Sequence, residues 1–330
     1  MRNLIFVWLS ILMVYLIAGR LDAPGASAAA LAALMLAADP LEMFLSRTTF
    51  EEPLAAFFML AAVYFAIRHA RDPMRWGMAL SGTFAGMALA TKWYYALAVA
   101  ALLAYSVLAL RRRAGEGRWA YAEAALSYTL LPLGVYLLSY YAWFGRGYGF
   151  IDFVRFESDA YYSLQHSDLT AFLGRMMNTS RSAWEWFTRP LVYTLVSQDI
   201  GGGMGVNVIY LNQPVLWPLV LPAMGFAAYR AVKARDMELG LIAAVFALTY
   251  AVFVPVHRPV FMHSALAVLP LGYLAVAYAL GEAMARLSVR WHYAMCGLVV
   301  AMGLYLAPVT CGMPVPQWLY APLVAFGTQM

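Results

Sequence analysis

Three short segments carry side chains able to hold a phosphate or move a proton. Ser46-Arg47-Thr48-Thr49-Phe50-Glu51-Glu52 sets one cation just ahead of two carboxylates. Thr91-Lys92-Trp93-Tyr94-Tyr95 joins a lysine to three aromatics, and His257-Arg258-Pro259 with His263 forms a third group. An arginine would grip a phosphate bidentately, and a lysine would meet it as a point charge. A phosphate leaving group needs that charge as its bond breaks, while a carboxylate or histidine would act as general base toward a hydroxyl. A longer stretch adds Asp152, Glu157, Asp159, His166, Asp168, Trp184 and Trp186, of which the tryptophans suit a sugar or peptide groove. Each group also has a plainer use. Arg47 with Glu51 and Glu52 would make a structural ion pair, and the aromatics at 93–95 fit an interfacial belt beside a snorkelling lysine. The residues of the longer stretch equally suit ordinary solvated or packed loop positions.

The elements that must position these groups are membrane helices. The chain has 330 residues, 64% of them hydrophobic and 12% charged, with a mean hydropathy of +0.69. A soluble domain would have about a quarter of its residues charged, so the apolar excess must face lipid. Apolar runs at 3–19, 26–45, 53–69, 76–91, 93–110, 124–144, 213–230, 238–256, 260–282 and 292–310 predict about ten spanning helices. Only the polar step at Thr91-Lys92 divides 76–91 from 93–110. Asp39-Pro40 interrupts the second run and predicts a kink with a capped carboxylate. The expected fold class is an all-α polytopic membrane protein. Residues 1–144 and 213–330 are its two helical parts, and 145–212 is an outer loop region of short helices. Cys296 and Cys311, if on one helix, are separated by roughly 22 Å, too far for the about 7 Å a disulfide allows. No metal framework is indicated.

Basic residues set the orientation. Connections containing Arg20, Arg68, Arg71, Arg75, Arg111 to Arg113, Arg118, Arg230, Lys233, Arg235, Arg286 and Arg290 hold thirteen cations against seven acids. The opposite side holds nine cations against ten acids. The positive-inside rule places the first set in the cytoplasm and 145–212 outside. Short basic clusters between apolar runs are orientation signals and exclude a nucleic-acid stripe. The first helix would then run inward from the outer side. A cleavable signal peptide at 1–19 would reverse every later loop; a chain lacking a leading helix is the expectation that keeps the basic loops inside.

Four elements resemble one family in its own order along nearly the whole chain. These are Ser46-Arg47 with an acid five positions after Arg47, Gly86-Met87-Ala88-Leu89-Ala90-Thr91-Lys92-Trp93, Ser182-Ala183-Trp184-Glu185-Trp186 before Arg189-Pro190, and Arg258-Pro259-Val260-Phe261-Met262-His263. The family is the protein O-mannosyltransferases, within the phospholipid-carrier-dependent C-type glycosyltransferases. The resemblance implies transfer of a sugar from a polyprenyl phosphate to a protein Ser or Thr hydroxyl at the outer membrane face, with inversion at the anomeric carbon. By position, Arg47, Lys92 and Arg258 would serve the lipid phosphate, and Glu52, with Glu51 beside it, the base. His166, Trp184, Trp186 and His263 would lie toward sugar or acceptor. The implied partners are membrane lipid, the lipid-linked donor and a protein acceptor, with no cofactor. Mannose is inherited from the family name.

Two departures from the family pattern shape the alternatives. The family's catalytic acidic pair lies in a first outer loop that this sequence does not contain, and Asn212-Gln213-Pro214 stands where Gly-Asn-Pro is usual. The first departure admits a fragment or split enzyme completed by a separate chain, or a non-catalytic lipid-binding pseudoenzyme or membrane subunit. A transporter is disfavoured because the charges gather at one face, without paired broken helices in related halves. The expected location is a bacterial inner membrane.

Overall fold

The computed structural model describes residues 2–21, 27–113, 117–166, 182–256, 260–285 and 287–328. Helices dominate it. The first half comprises α1 (Arg2–Ala18), α2 (Ala28–Ala37), α3 (Pro40–Leu45), α4 (Glu52–Arg71), α5 (Gly77–Thr91) and α6 (Ala96–Arg112). Then α7 (Arg118–Tyr128), α8 (Leu130–Ser139) and α9 (Tyr141–Gly145) follow one another almost without interruption, before α10 (Phe150–His166) and α11 (Glu185–Thr188). The second half holds α12 (Trp217–Ala234), α13 (Met237–Ala251), α14 (Leu269–Met284), α15 (Val289–Thr310) and α16 (Gln317–Thr328). Among the described residues, the stretches Glu52–Arg71, Trp93–Arg112, Arg118–Ser139 and Val289–Thr310 are long and apolar enough to cross a membrane. Arg2–Ala18, Ala28–Ala37, Gly77–Thr91, Met237–Ala251 and Leu269–Met284 are shorter apolar helices beside them. The chain is a multi-pass integral membrane protein.

The two ends of the bundle differ in chemistry. At one end Arg20 pairs with Asp72 at 3.3 Å, Arg71 with Glu238 at 3.0 Å, and Arg230 with Glu282 at 2.9 Å. Arg112 donates to the Arg235 carbonyl at 3.2 Å. This is the Arg-rich end that the charge pattern assigns to the cytoplasm. At the other end the Asn3 amide donates to the carbonyls of Thr48 and Phe50 at 2.8 and 2.6 Å, folding the 45–50 loop over the start of α1.

The run at 26–45 is two helices. Pro40 has no N–H to continue α2, and the fully buried Asp39 carboxylate caps α3, accepting from the N–H groups of Leu41 and Glu42 at 2.9 and 3.2 Å. Its other oxygen accepts from the Trp217 indole at 2.8 Å and the Tyr273 hydroxyl at 2.5 Å. One side chain therefore joins α3 to α12 and α14.

In lipid, helices gain no hydrophobic advantage from meeting, so small residues that allow close approach decide packing. Gly82 and Gly86 form such a pair on α5. A Cβ at Gly82 would lie 1.8 Å from the Ser127 carbonyl oxygen, and one at Gly86 would lie 2.8 Å from Pro132 Cα. Thus α5 meets α7 and α8 backbone to backbone.

The 145–212 region holds more than the expected short helices. Strands β1 (Val192–Gly201) and β2 (Met204–Leu211) pair antiparallel, and β3 (Pro314–Pro316) adds to the far side of β2. Gly201, Gly202 and Gly203 all have positive φ and close the hairpin. Alternating burial along β2 is the period-2 pattern of a half-covered strand. A scan for 20-residue apolar runs does not register it.

Gly82→Ala should destabilise the protein by about 1–3 kcal/mol, because the blocking atom is backbone. Gly225→Ala, with open space around it on α12, should be neutral or stabilising by up to about 1 kcal/mol. Thermal unfolding in detergent distinguishes the two; equal melting temperatures would refute the close-approach account.

Candidate functional site

The site forms where three helix ends meet at the face opposite the Arg-rich end. Glu51 is the N-cap residue of α4 and Glu52 its first helical residue, with Pro53 following at a position where a missing N–H costs nothing. Acids there also face the favourable end of the helix dipole. Lys92 ends α5 in extended conformation (φ −147°, ψ 113°), before the short 3-10 turn Trp93–Tyr95. A second 3-10 segment, Met262–Ala267, presents His263.

These elements converge on one ammonium. Lys92 Nζ lies 2.9 Å from Glu52 Oε1 and 3.2 Å from Glu51 Oε2. His263 Nε2 stands 3.8 Å from the same Glu52 oxygen. The imidazole is stacked on Phe50 at 4.6 Å and on Phe261 at 5.0 Å between ring centres. Glu52 is 2% exposed and its Oε2 has no hydrogen-bond partner among the described residues, whereas the Glu51 side chain is 56% exposed. The cluster opens on a cavity of about 340 Å³ walled by Glu52, Lys92, Trp93, Tyr94, Phe253, Phe261 and His263, among others. An ammonium has three N–H donors; two meet carboxylates, and among the described residues the third has no partner, which leaves it available to a ligand.

Burial alone would push Lys92 down, but Glu52 and Glu51 together hold it above the ordinary lysine value. For Glu51 partial burial acts upward, and the Lys92 charge and hydrogen bond outweigh it, keeping the carboxyl below its ordinary value. Burial keeps His263 below 6.5 despite the neighbouring Glu52 charge. At neutral pH the site holds a cationic lysine, an anionic Glu51 and a neutral imidazole.

The remaining candidates separate. Arg47 does not pair with Glu51 or Glu52 in the described contacts; it donates to the Cys311 carbonyl at 3.2 Å, tying the loop to the end of α15. Arg258 and Asp168 lie outside the described residues. His166 closes α10, and its side chain is likewise outside them. Trp184 is exposed, edge-on to Tyr250. Trp186 is fully buried against Tyr250 and Phe253, so it walls the core rather than a groove. Asn212 accepts from the Leu191 N–H and donates to the Trp186 and Arg189 carbonyls, which locks the Ser-x-Trp-x-Trp segment onto β2. Sequence reasoning missed Asn3 and the Phe50–Phe261 clamp; the available signal was an amide in the first turn of an otherwise apolar helix.

Comparison with known proteins bears on this arrangement. The family profile described as Dolichyl-phosphate-mannose-protein mannosyltransferase matches residues 2–136. A Polyprenol-phosphate-mannose--protein mannosyltransferase of Mycolicibacterium smegmatis is 25% identical over 360 aligned positions, covering 87% of this chain and 69% of its own. Its namesake in Mycobacterium tuberculosis is 23% identical over 87% of this chain and 68% of its own. The chain is thus similar to this mannosyltransferase family, by profile over residues 2–136 and by sequence over most of its length. A further relative of the same name, from Corynebacterium glutamicum, is 25% identical over 78% of the chain and 58% of its own length. Among solved structures, the apo oligosaccharyltransferase of Archaeoglobus fulgidus aligns with 95% of this chain and 45% of its own, at TM-score 0.44 and 15% identity.

Lys92→Met should cost about 3 kcal/mol by stranding Glu52 without its cation, and adding Glu52→Gln should recover part of that loss. Unfolding in detergent of both single variants and the double variant measures the coupling; additivity would refute the pair. Because protonation of His263 is disfavoured in the fold, the unfolded chain takes up that proton first. Stability should therefore fall as pH drops from 6.5, and His263→Asn should flatten that acid limb in melting curves from pH 5 to 8.

Proposed function

We propose that this chain transfers mannose from a polyprenyl-phosphate donor to a Ser or Thr hydroxyl of a protein, at the outer face of a bacterial inner membrane. The carrying observation is the Lys92 ammonium shared by Glu51 and Glu52 on the wall of an outer-end cavity. It stands in a chain whose relatives bear names specifying that donor and a protein acceptor.

In this reading the remaining N–H of Lys92 meets the donor phosphate as the sugar–oxygen bond breaks, and Arg47 and Arg258 add charge around it. Glu51, exposed and ionised, takes the proton of the acceptor hydroxyl as its oxygen bonds the anomeric carbon from the opposite face. Glu52 positions Lys92, and among the described residues its second oxygen is unpaired; neutral His263 lines the acceptor side, and His166 and Trp184 are proposed, by their place in the sequence, to serve the sugar or acceptor. The donor supplies its own leaving group, and no cofactor enters.

Purified protein in nanodiscs, given polyprenyl-phosphate mannose and a Ser/Thr peptide, should yield mannosylated peptide by mass spectrometry. Glu51→Gln should lower kcat by about 10²-fold or more with little change in donor KM. Arg47→Ala should raise donor KM roughly tenfold. Failure both to bind the donor and to modify any peptide would overturn the assignment.

A further inference from the structure

The hairpin beside the site has an open edge. In the strand order β1-β2-β3, β1 is terminal. Among the described residues, the backbone of Tyr193–Ile200 has no backbone partner besides β2. Leu195, Val196 and Ile200 are exposed. Natural edge strands are usually blunted by lysine, proline or bulges. Between Val192 and Gly201 there is no lysine, arginine or proline. Two bulges, at Thr194/Val196 and Asp199/Gly201, interrupt the edge at either end, and between them lies a regular segment, Val196–Asp199, whose outer N–H and C=O groups have no backbone partner among the described residues.

This edge leads into the site. Tyr193 and Leu195 share with Phe50, Phe261 and His263 the walls of a narrow apolar gap, and His263 is the residue 3.8 Å from Glu52. A strand laid along β1 would therefore run from solvent at Ile200 toward the cluster. Backbone pairing ignores side-chain identity, so such an edge accepts many sequences and selects for extended backbone. Alternate side chains of an added strand face opposite ways, which sets every second residue toward the apolar Val196 side.

We propose that the acceptor protein binds as an extended segment that adds a strand to β1, its backbone bonded across Val196–Asp199, with a Ser or Thr beyond Leu195 delivered to the cavity. The proposal rests on the mannosyltransferase reading, and names how its protein substrate is held.

The test uses acceptor peptides carrying one N-methyl group at successive positions, read as Kd by fluorescence anisotropy and as acceptor KM in the transfer assay. Affinity should fall about tenfold at alternate positions on one side of the modified residue and stay unchanged at those between. Donor KM should not move. Val196→Lys should weaken binding of every peptide while leaving donor KM and the melting temperature unaltered. A flat N-methyl profile, or one repeating every three or four residues, with transfer intact would overturn strand addition and leave the transferase reading standing. Loss of both donor binding and transfer would strike the transferase reading itself. If Val196→Lys instead abolishes self-association of the chain and spares peptide affinity, the edge is a contact between copies and the proposal fails.

Discussion

A carboxylate almost wholly hidden at the end of an apolar helix is tolerable only beside a cation, and the end of this molecule opposite its Arg-rich end is arranged around that need. Glu52 begins α4, and Lys92 is the cation. To supply it, the chain must leave helical conformation at Lys92, turn through Trp93–Tyr95 and start again as α6, so the break between two adjacent apolar runs is fixed by charge rather than by length. The same requirement brings in Glu51, which makes Lys92 a shared cation with one donor to spare, and sets the neutral His263 between two phenylalanines at the edge of the pair. Removing Lys92 would leave Glu52 buried without its cation, whereas Lys92 without Glu52 would still have Glu51 beside it.

Elsewhere in the bundle the same logic repeats with neutral partners. Apolar faces in lipid carry little directional information, because lipid tails are as apolar as the side chains. Register comes from buried polar nodes and from backbone contact. Asp39 ties α3 to α12 and α14; Asn212 clamps the Trp186–Leu191 strand of chain; Gly82 and Gly86 set α5 against α7 and α8. The hairpin is seated by Val192, Ile209 and Leu211 against Leu306 and Val309 of α15, so the open strand edge has a firm base.

Much of this was legible in the residues. Hydropathy located the helices, the Thr91-Lys92 step located the turn between α5 and α6, and Asp39-Pro40 announced a capped break. The gathering of Glu51, Glu52, Lys92 and His263 followed from their sharing one membrane face. Which cation paired with the two acids did not follow. Spacing favoured Arg47 as their neighbour in sequence, but Asn3 holds the loop carbonyls so that Arg47 reaches Cys311 instead, a contact spanning 264 positions. The burial of Trp186 depended on packing against α13, which no local pattern encodes. The hairpin was written in β-branched alternation around three glycines, at a length that spanning-helix windows average away.

The Asp39 node also sets a timetable. Its two backbone donors are local and available as soon as α3 forms, but Trp217 and Tyr273 lie 178 and 234 positions downstream. At ribosomal speeds of about 5–20 residues per second, roughly 10–35 s pass before the first of them is even synthesised. During that interval the early helices sit in the membrane with half of this carboxylate's partners missing, and the first half of the bundle cannot settle into its final geometry until the second half arrives to complete it.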